Sequence, residues 1–353
     1  MEELFNKYIT ERHVKESTSN LYKQTLALLY RKIIGNQNTT VRMTKTRDLF
    51  KTLNPNMEWV MDVDVVDNAI KDYSLNNKKL IYNILAPLLT TLGTKKGVEF
   101  GNIYRKKLFD IATIVNNQTK KQTITKTKLK ENWVSFDVIL ERYNDYCTRV
   151  GNGGLAIDGS DRMNTAFIAT SLMLLFCPRR PSALEHLKVI TEYPFPPVES
   201  LNSDFNYLLI TSQNNGKSVL VLNNYKTNTI YGRQVFEIST RLNRLLILYM
   251  KNRKKPLNFE KEKQPFLLQK TVGNSLTNQG FTSTGISQII KKFITEELKI
   301  PNISCTDLRT IYITTWYHKK PRYVLEVESE SYKMGNSVSE FTKTYIKRED
   351  EIS

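Results

Sequence analysis

Residues Asn206 to Ser239, NYLLITSQNNGKSVLVLNNYKTNTIYGRQVFEIS, decide the fold class. Three β-rich runs, NYLLIT, SVLVLNNYK and RQVFEIS, are separated by Asn, Gly and Thr, residue types that favour turns. On both sides the period changes. STRLNRLLILYMKNRKK, STGISQIIKKFITEELK, SCTDLRTIYITTWYHKK and the closing segment read as helices. Upstream, the apolar run AFIATSLMLLFC (Ala166 to Cys177) reads as a buried helix, and helices are expected to continue to about Leu187. The pattern predicts a mainly α, α+β unit with a small antiparallel β-sheet inserted among helices.

Further out, residues 1 to about 115 read as helical. TSNLYKQTLALLYRKIIG opens on a Thr/Ser cap and repeats apolar residues at three- and four-residue steps: Leu21, Leu26, Leu28, Leu29 and Ile33. NKKLIYNILAPLLTTLG does the same, with Gly93 as its stop, and VEFGNIYRKKLFDIATIVNNQ supplies a third periodic stretch. Asn116 to Asn132, NNQTKKQTITKTKLKEN, is polar and rich in Lys and Thr, and reads as a basic linker able to track a phosphate backbone. The expected division is a helical domain over 1–115, the linker over 116–132 and the α+β domain over 133–353. A chain of 353 residues exceeds the size at which one core keeps growing, which also favours two domains.

Lys and Arg number 52 against 35 Asp and Glu, a formal charge of +17. The isoelectric point is near 9.5. Such a balance favours a polyanionic partner, because neutralising phosphates releases condensed counterions. An anionic membrane surface would call for a basic amphipathic segment or a lipidation signal, and neither is present. RNA binding stays open on charge alone, and charge serving solubility without a partner is the lesser alternative. No run approaches the roughly 18–20 apolar residues of a membrane span, and MEELFNKYIT is too acidic and polar for a secretory signal. Cys147, Cys177 and Cys305 lie far apart, as do His13, His186 and His318. Without a CxxC or HxxxH spacing, the expectation is a reducing compartment and chemistry free of metal.

Several short motifs have ordinary readings. NNGKS (Asn214 to Ser218) resembles the tail of a phosphate loop, but Thr211 stands where that loop needs a Gly, and the flanks are strands rather than a helix start. It is expected to be a hairpin turn. GNGG (Gly151 to Gly154) is expected to be a flexible loop. MDVDVVD gathers Asp62, Asp64 and Asp67, read as helix-start acids with a metal site as the alternative.

Four positions remain. LFCPRRPSALEHLKV places two arginines after an apolar helix, an expensive arrangement unless one holds an anion or both turn to solvent. Lys226, in NNYKTNTIYG, lies on a hairpin from which it could reach a phosphate or donate a proton, although solvated hairpin lysines are common. Arg309 falls early on the SCTDLRTIYITTWY helix, where a surface arginine with a snorkelling stem is the alternative. KMGNSVSEFTKTYIKRED carries Tyr345 close to the end, readable simply as an amphipathic packing residue.

Taken in order, Arg, hairpin Lys, helix Arg and late Tyr resemble the tyrosine recombinases, the phage-integrase-type site-specific recombinases. RPSALEHL resembles the family's first-arginine segment and assigns Arg180. TDLR resembles its H-x-L-R box, assigning Arg309 and placing Thr306 at the His position. MGNS, with Tyr345 nine residues after Asn336, resembles its L-G-H-S…Tyr box. The hairpin lysine falls on Lys226. The PRR turn, YKT…YG hairpin and ENWVSFDVIL opening resemble the integrases of large eukaryotic DNA viruses, virophages and related mobile elements. The departures are Ala183 in place of the family's acid, and Thr306 and Asn336 in place of two histidines.

The resemblance implies a helical, SAM-like core-binding domain that binds double-stranded DNA, followed by a catalytic domain. Tyr345 would be the nucleophile and Lys226 the general acid. Arg180 and Arg309 would bind the phosphate, with Thr306 and Asn336 beside them. It also implies a homotetramer on DNA and a 3′-phosphotyrosyl intermediate formed without metal, ATP or other cofactor. The location implied is intracellular, at DNA: a host nucleus, a viral replication site or a virion. Two alternatives stay open on the residues: a type IB topoisomerase-like enzyme, and a non-catalytic DNA-binding protein on a degenerate recombinase fold.

Overall fold

The computed structural model describes residues 1–14, 16–35, 41, 44–120, 133–156, 161–185, 187–212, 217–253, 265–272, 275–319 and 321–347. The chain divides into two compact units, Met1–Lys121 and Gln122–Ser353.

The first unit is helical: α1 (Glu2–Glu11), α2 (Glu16–Ile34), α3 (Thr46–Thr52), α4 (Val63–Ala69), α5 (Leu75–Thr91) and α6 (Lys95–Lys120). Leu26, Leu29, Phe5, Leu85 and Tyr104 are among the residues filling its core, and the buried Tyr104 hydroxyl donates to the Val60 carbonyl at 2.7 Å. Helix α2 starts at Glu16, so Thr18 and Ser19 lie within its first turn rather than ahead of it; the Glu16 carboxylate suits the positive helix end. Asp62 caps α4 by accepting from the Asp64 and Val65 amides, and Asp67 accepts from Lys107 Nζ at 2.6 Å. These acids therefore serve a cap and an ion pair. Among the described residues no three His, Cys, Asp or Glu side chains are grouped as metal ligands. Gly93, with φ +72°, follows α5 as expected of a stop residue. Helix α6 continues through Lys120, five residues into the expected linker; Gln and Lys are adequate helix formers, so a polar tail does not end a helix by itself. The remainder of that linker, 121–132, lies outside the described residues.

The second unit begins with α7 (Phe136–Val150), capped by Ser135, and the buried α8 (Asp161–Leu175). A short α9 (Ser182–Glu185) leads into β1 (Leu187–Ile190), followed by β2 (Asn206–Leu209) and β3 (Val219–Leu222). The short α10 (Asn228–Tyr231) stands between β3 and β4 (Gln234–Glu237). Then come α11 (Thr240–Asn252), β5 (Gln269–Val272), β6 (Ser275–Gly280), α12 (Ser283–Glu296), α13 (Cys305–His318), α14 (Val324–Met334) and α15 (Val338–Glu340). A π-helical turn over Phe341–Tyr345 follows. The fold is α+β, mainly helical with a small sheet.

The sheet has the order β1-β2-β3-β4. The three runs within Asn206 to Ser239 pair antiparallel, with Leu208 opposite Leu220 and Leu220 opposite Phe236. Strand β1 adds in parallel, with Leu187 opposite Asn206, so the sheet is mixed rather than wholly antiparallel. Leu187 thus opens a strand instead of closing a helix. LKVI is too short to show a period, and parallel partners buried in the interior need not alternate. A second sheet, β5-β6, is also additional to the expectation; Ser275–Gly280 has little strand propensity and takes its form from pairing.

Residues 214–216 of NNGKS lie outside the described residues. GNGG is a tight turn rather than a flexible loop. Gly154 is buried with φ +97°, and a Cβ there would stand 2.4 Å from the Phe167 ring, so only glycine fits. Phe167 is central to the core of this unit, tilted against Phe293 and Tyr146. Among the described residues no helix is long and apolar enough to cross a membrane.

Candidate active site

Three segments of the second unit converge away from its main core. Helix α13 is started by a capping box in which Ser304 and Asp307 satisfy each other's backbone amides. With its start so fixed, α13 turns Leu308 and Ile311 into the main core and Arg309 and Ile313 toward a separate apolar cluster. That cluster also holds Cys177, Val327, Met334, Phe341, Tyr345 and Ile346. Phe341 packs edge-on to Trp316 at 5.8 Å, and the Tyr345 carbonyl accepts from Thr314 Oγ1 at 2.8 Å, which ties the π turn to α13.

Arg309 is 2% exposed, and its guanidinium carbon lies 5.2 Å from the centre of the Tyr345 ring. One nitrogen, Nη2, donates to Asn336 Oδ1 at 2.7 Å. Burial pushes the Arg309 pKa down; the Tyr345 phenol counters this and the nearby Arg180 cation adds to it. Asn336 itself is fully buried, following Gly335, which ends α14 in the left-handed region at φ +66°.

Arg180 lies in the segment joining α8 to α9, and its Nη2 donates to Glu340 Oε1 at 2.6 Å. Its other terminal nitrogen, Nη1, is buried without a hydrogen-bond partner. So are Nε and Nη1 of Arg309 and Nδ2 of Asn336. An unmet buried donor costs about 1–3 kcal/mol, more when charged. Four of them on three neighbouring side chains, two of these cationic, are a donor set whose needs the acceptor oxygens of an oxyanion can meet.

The expected residues are therefore gathered unequally. Arg309 touches both Asn336 and Tyr345, and Arg180 joins them through its field on Arg309. Lys226 stands exposed in the connection between β3 and β4, with no hydrogen bond to the other candidates. The connection itself is pinned to the same turn: Thr227 Oγ1 donates to the Gly335 carbonyl at 3.0 Å and Tyr231 Oη to the Asn336 carbonyl at 2.8 Å. Thr306 is exposed on the first turn of α13, and no hydrogen bond joins its side chain to the cluster. Ala183 is buried in the main core and brings no acid. The carboxylate beside Arg180 comes instead from Glu340, a residue the sequence reading missed. Its only local signal was a place five residues before Tyr345.

The neighbouring Arg179 is a different case. Nη1 donates to the Lys333 carbonyl at 2.6 Å and Nη2 to Gln234 Oε1 at 2.7 Å, while its guanidinium lies over the Tyr225 and Phe236 rings. Arg179 braces the turn that carries Asn336.

No family model matches the chain, and no curated protein does. Among solved structures, one described as "Crystal structure of XerA recombinase" matches with a TM-score of 0.39 and 11% identity, over 99% of this chain and 94% of that one. Likeness at that level carries no argument about this chain.

Proposed function

We propose that the chain is a tyrosine-type DNA strand transferase, a site-specific recombinase or integrase. One observation carries the reading: Arg180, Arg309 and Asn336 keep buried donors without partners, and the Arg309 guanidinium lies against the Tyr345 phenol ring. A phosphodiester has the acceptor oxygens those donors lack, and planar guanidinium forks match them.

In this reading, the Tyr345 oxygen gives up its phenolic proton to water and attacks the phosphorus, forming a Tyr–O–P bond to the 3′ side while the P–O5′ bond breaks. Arg180 and Arg309 stabilise the extra negative charge of the five-coordinate transition state, and Asn336 Nδ2 supplies a neutral donor to the same oxygens. Lys226 moves in from the β3–β4 connection to protonate the departing 5′ oxygen. The phosphotyrosyl bond keeps the ester energy, so a 5′-hydroxyl from a second strand can reverse the step without metal, nucleotide or other cofactor. The first unit and the linker bind duplex DNA, helped by the chain's net charge of +17, and four copies act together on two duplexes at an intracellular DNA site.

The test is a nicked duplex from which the released strand diffuses away. A covalent protein–DNA adduct that survives denaturant and is lost in Tyr345→Phe is expected. Failure of the wild-type protein to form one, with binding intact, returns the chain to a non-catalytic DNA binder. A two-site plasmid assay then separates joining of distinct duplexes from topoisomerase-like relaxation.

A further inference from the structure

We propose that Glu340 is a positioning residue that aims Arg180 at the phosphate and clasps the nucleophile-bearing turn, an inference resting on the reading above. Glu340 Oε1 accepts from Arg180 Nη2 at 2.6 Å, across 160 residues of chain. The backbone that carries the acid is fixed, because its amide donates to Ser337 Oγ at 3.1 Å at the start of α15. The next residue opens the Phe341–Tyr345 turn, whose far end is anchored by Thr314 Oγ1 on the Tyr345 carbonyl. The turn is thus fastened at both ends, to α13 at Tyr345 and to Arg180 at Glu340.

The pairing uses one edge of the Arg180 fork and leaves Nη1 buried and free. A carboxylate beside a phosphate site weakens its attraction for an anion, so its presence needs a compensating role. Geometry provides one: Arg180 and Arg309 repel, and a fixed acid behind Arg180 holds the two forks together in readiness for the phosphate.

Rate and affinity should therefore separate. In Glu340→Ala, adduct formation on the nicked duplex should fall ~10–100-fold, while DNA affinity stays equal or tightens, since a negative charge is gone. Glu340→Gln keeps the acceptor oxygen and should recover most of the rate. Loss of both rate and affinity would mean a merely structural role. A rise in both would mean that Glu340 competes with the phosphate, and no change in either would remove its role; each result overturns the proposal. Hydrogen exchange at the backbone amides of 341–347 on DNA-free protein gives an answer independent of cleavage. Exchange roughly tenfold or more faster in Glu340→Ala than in wild type, with the main core unchanged, supports the clasp, and equal exchange overturns it. If wild-type protein forms no adduct, the recombinase reading fails while the exchange result still decides the clasp.

Discussion

Arg179 and Arg309 are both cations withdrawn from water, 3% and 2% exposed, and the protein holds them in opposite ways. Around Arg179 the chain has arranged a backbone carbonyl, a glutamine oxygen and two ring faces. Around Arg309 it has arranged one amide oxygen and one phenol ring, with two nitrogens left without partners. Both have their pKa lowered by burial, so desolvation does not distinguish them. Partner count does. A buried cation whose donors meet acceptors of the fold serves the fold, whereas one left short of acceptors keeps donors that a ligand can meet.

The contrast can be broken most directly at Arg309. Arg309→Lys keeps the charge but loses the fork, and adduct formation should fall ~10²–10³-fold. Its folding stability should change by no more than about 1 kcal/mol, because little within the protein depends on those nitrogens. A denaturant midpoint that drops sharply would make Arg309 a structural residue like its counterpart. The reverse substitution, Arg179→Met, should cost ~3 kcal/mol, by leaving Gln234 Oε1 buried without a donor and the Lys333 carbonyl with only the weak Cys177 thiol. Equilibrium unfolding in urea measures it, and a loss under about 1 kcal/mol would sink the bracing role.

A smaller effect is expected at Gly335. Its φ is +66°, and an added Cβ would come within 2.8 Å of Arg179 Nη2. Gly335→Ala should lower stability by ~1–2 kcal/mol and slow adduct formation, because Arg179 and Asn336 shift together. An adduct rate unchanged at full occupancy of DNA would show that the two arginine environments are uncoupled.

Cys177 offers the mildest probe. Burial pushes its pKa up to about 12, against the opposing pull of Arg179, Lys333 and Arg309. The unfolded chain gives up this proton near 9, so the folded state binds more protons in between. The contribution to stability is therefore intact below about pH 9 and declines as pH rises toward 12. Urea midpoints measured from pH 7 to 10.5 should fall above pH 9, and less steeply in Cys177→Ala. Identical slopes would remove Cys177 from the account.

Much of this architecture was legible in the chain. The runs between Asn206 and Ser239 pair as their turns and alternation suggest, and the helices around them keep their apolar period. Strand β1 was not legible, since four apolar residues without a period are compatible with helix or strand. Nor was the tightness of GNGG, which depends on the Phe167 ring arriving from α8. Arg309 read from sequence as well as a snorkelling surface residue; its burial follows from the cluster formed by Phe341 and Tyr345, far along the chain. Thr306 entered the site only through the family resemblance of TDLR, and it stands on the exposed side of the α13 start.

By itself the sequence determined most of the helices, the three strands between Asn206 and Ser239 and a strongly basic charge, and it offered a short set of candidate site residues. It could not say which of two adjacent arginines keeps a nitrogen free. That was decided by Lys333, Gln234 and Glu340, residues 55 to 160 positions away that meet the guanidiniums only after folding. Hydrogen-bond satisfaction is a property of the packed interior, where each donor finds, or fails to find, an acceptor supplied by a distant part of the chain.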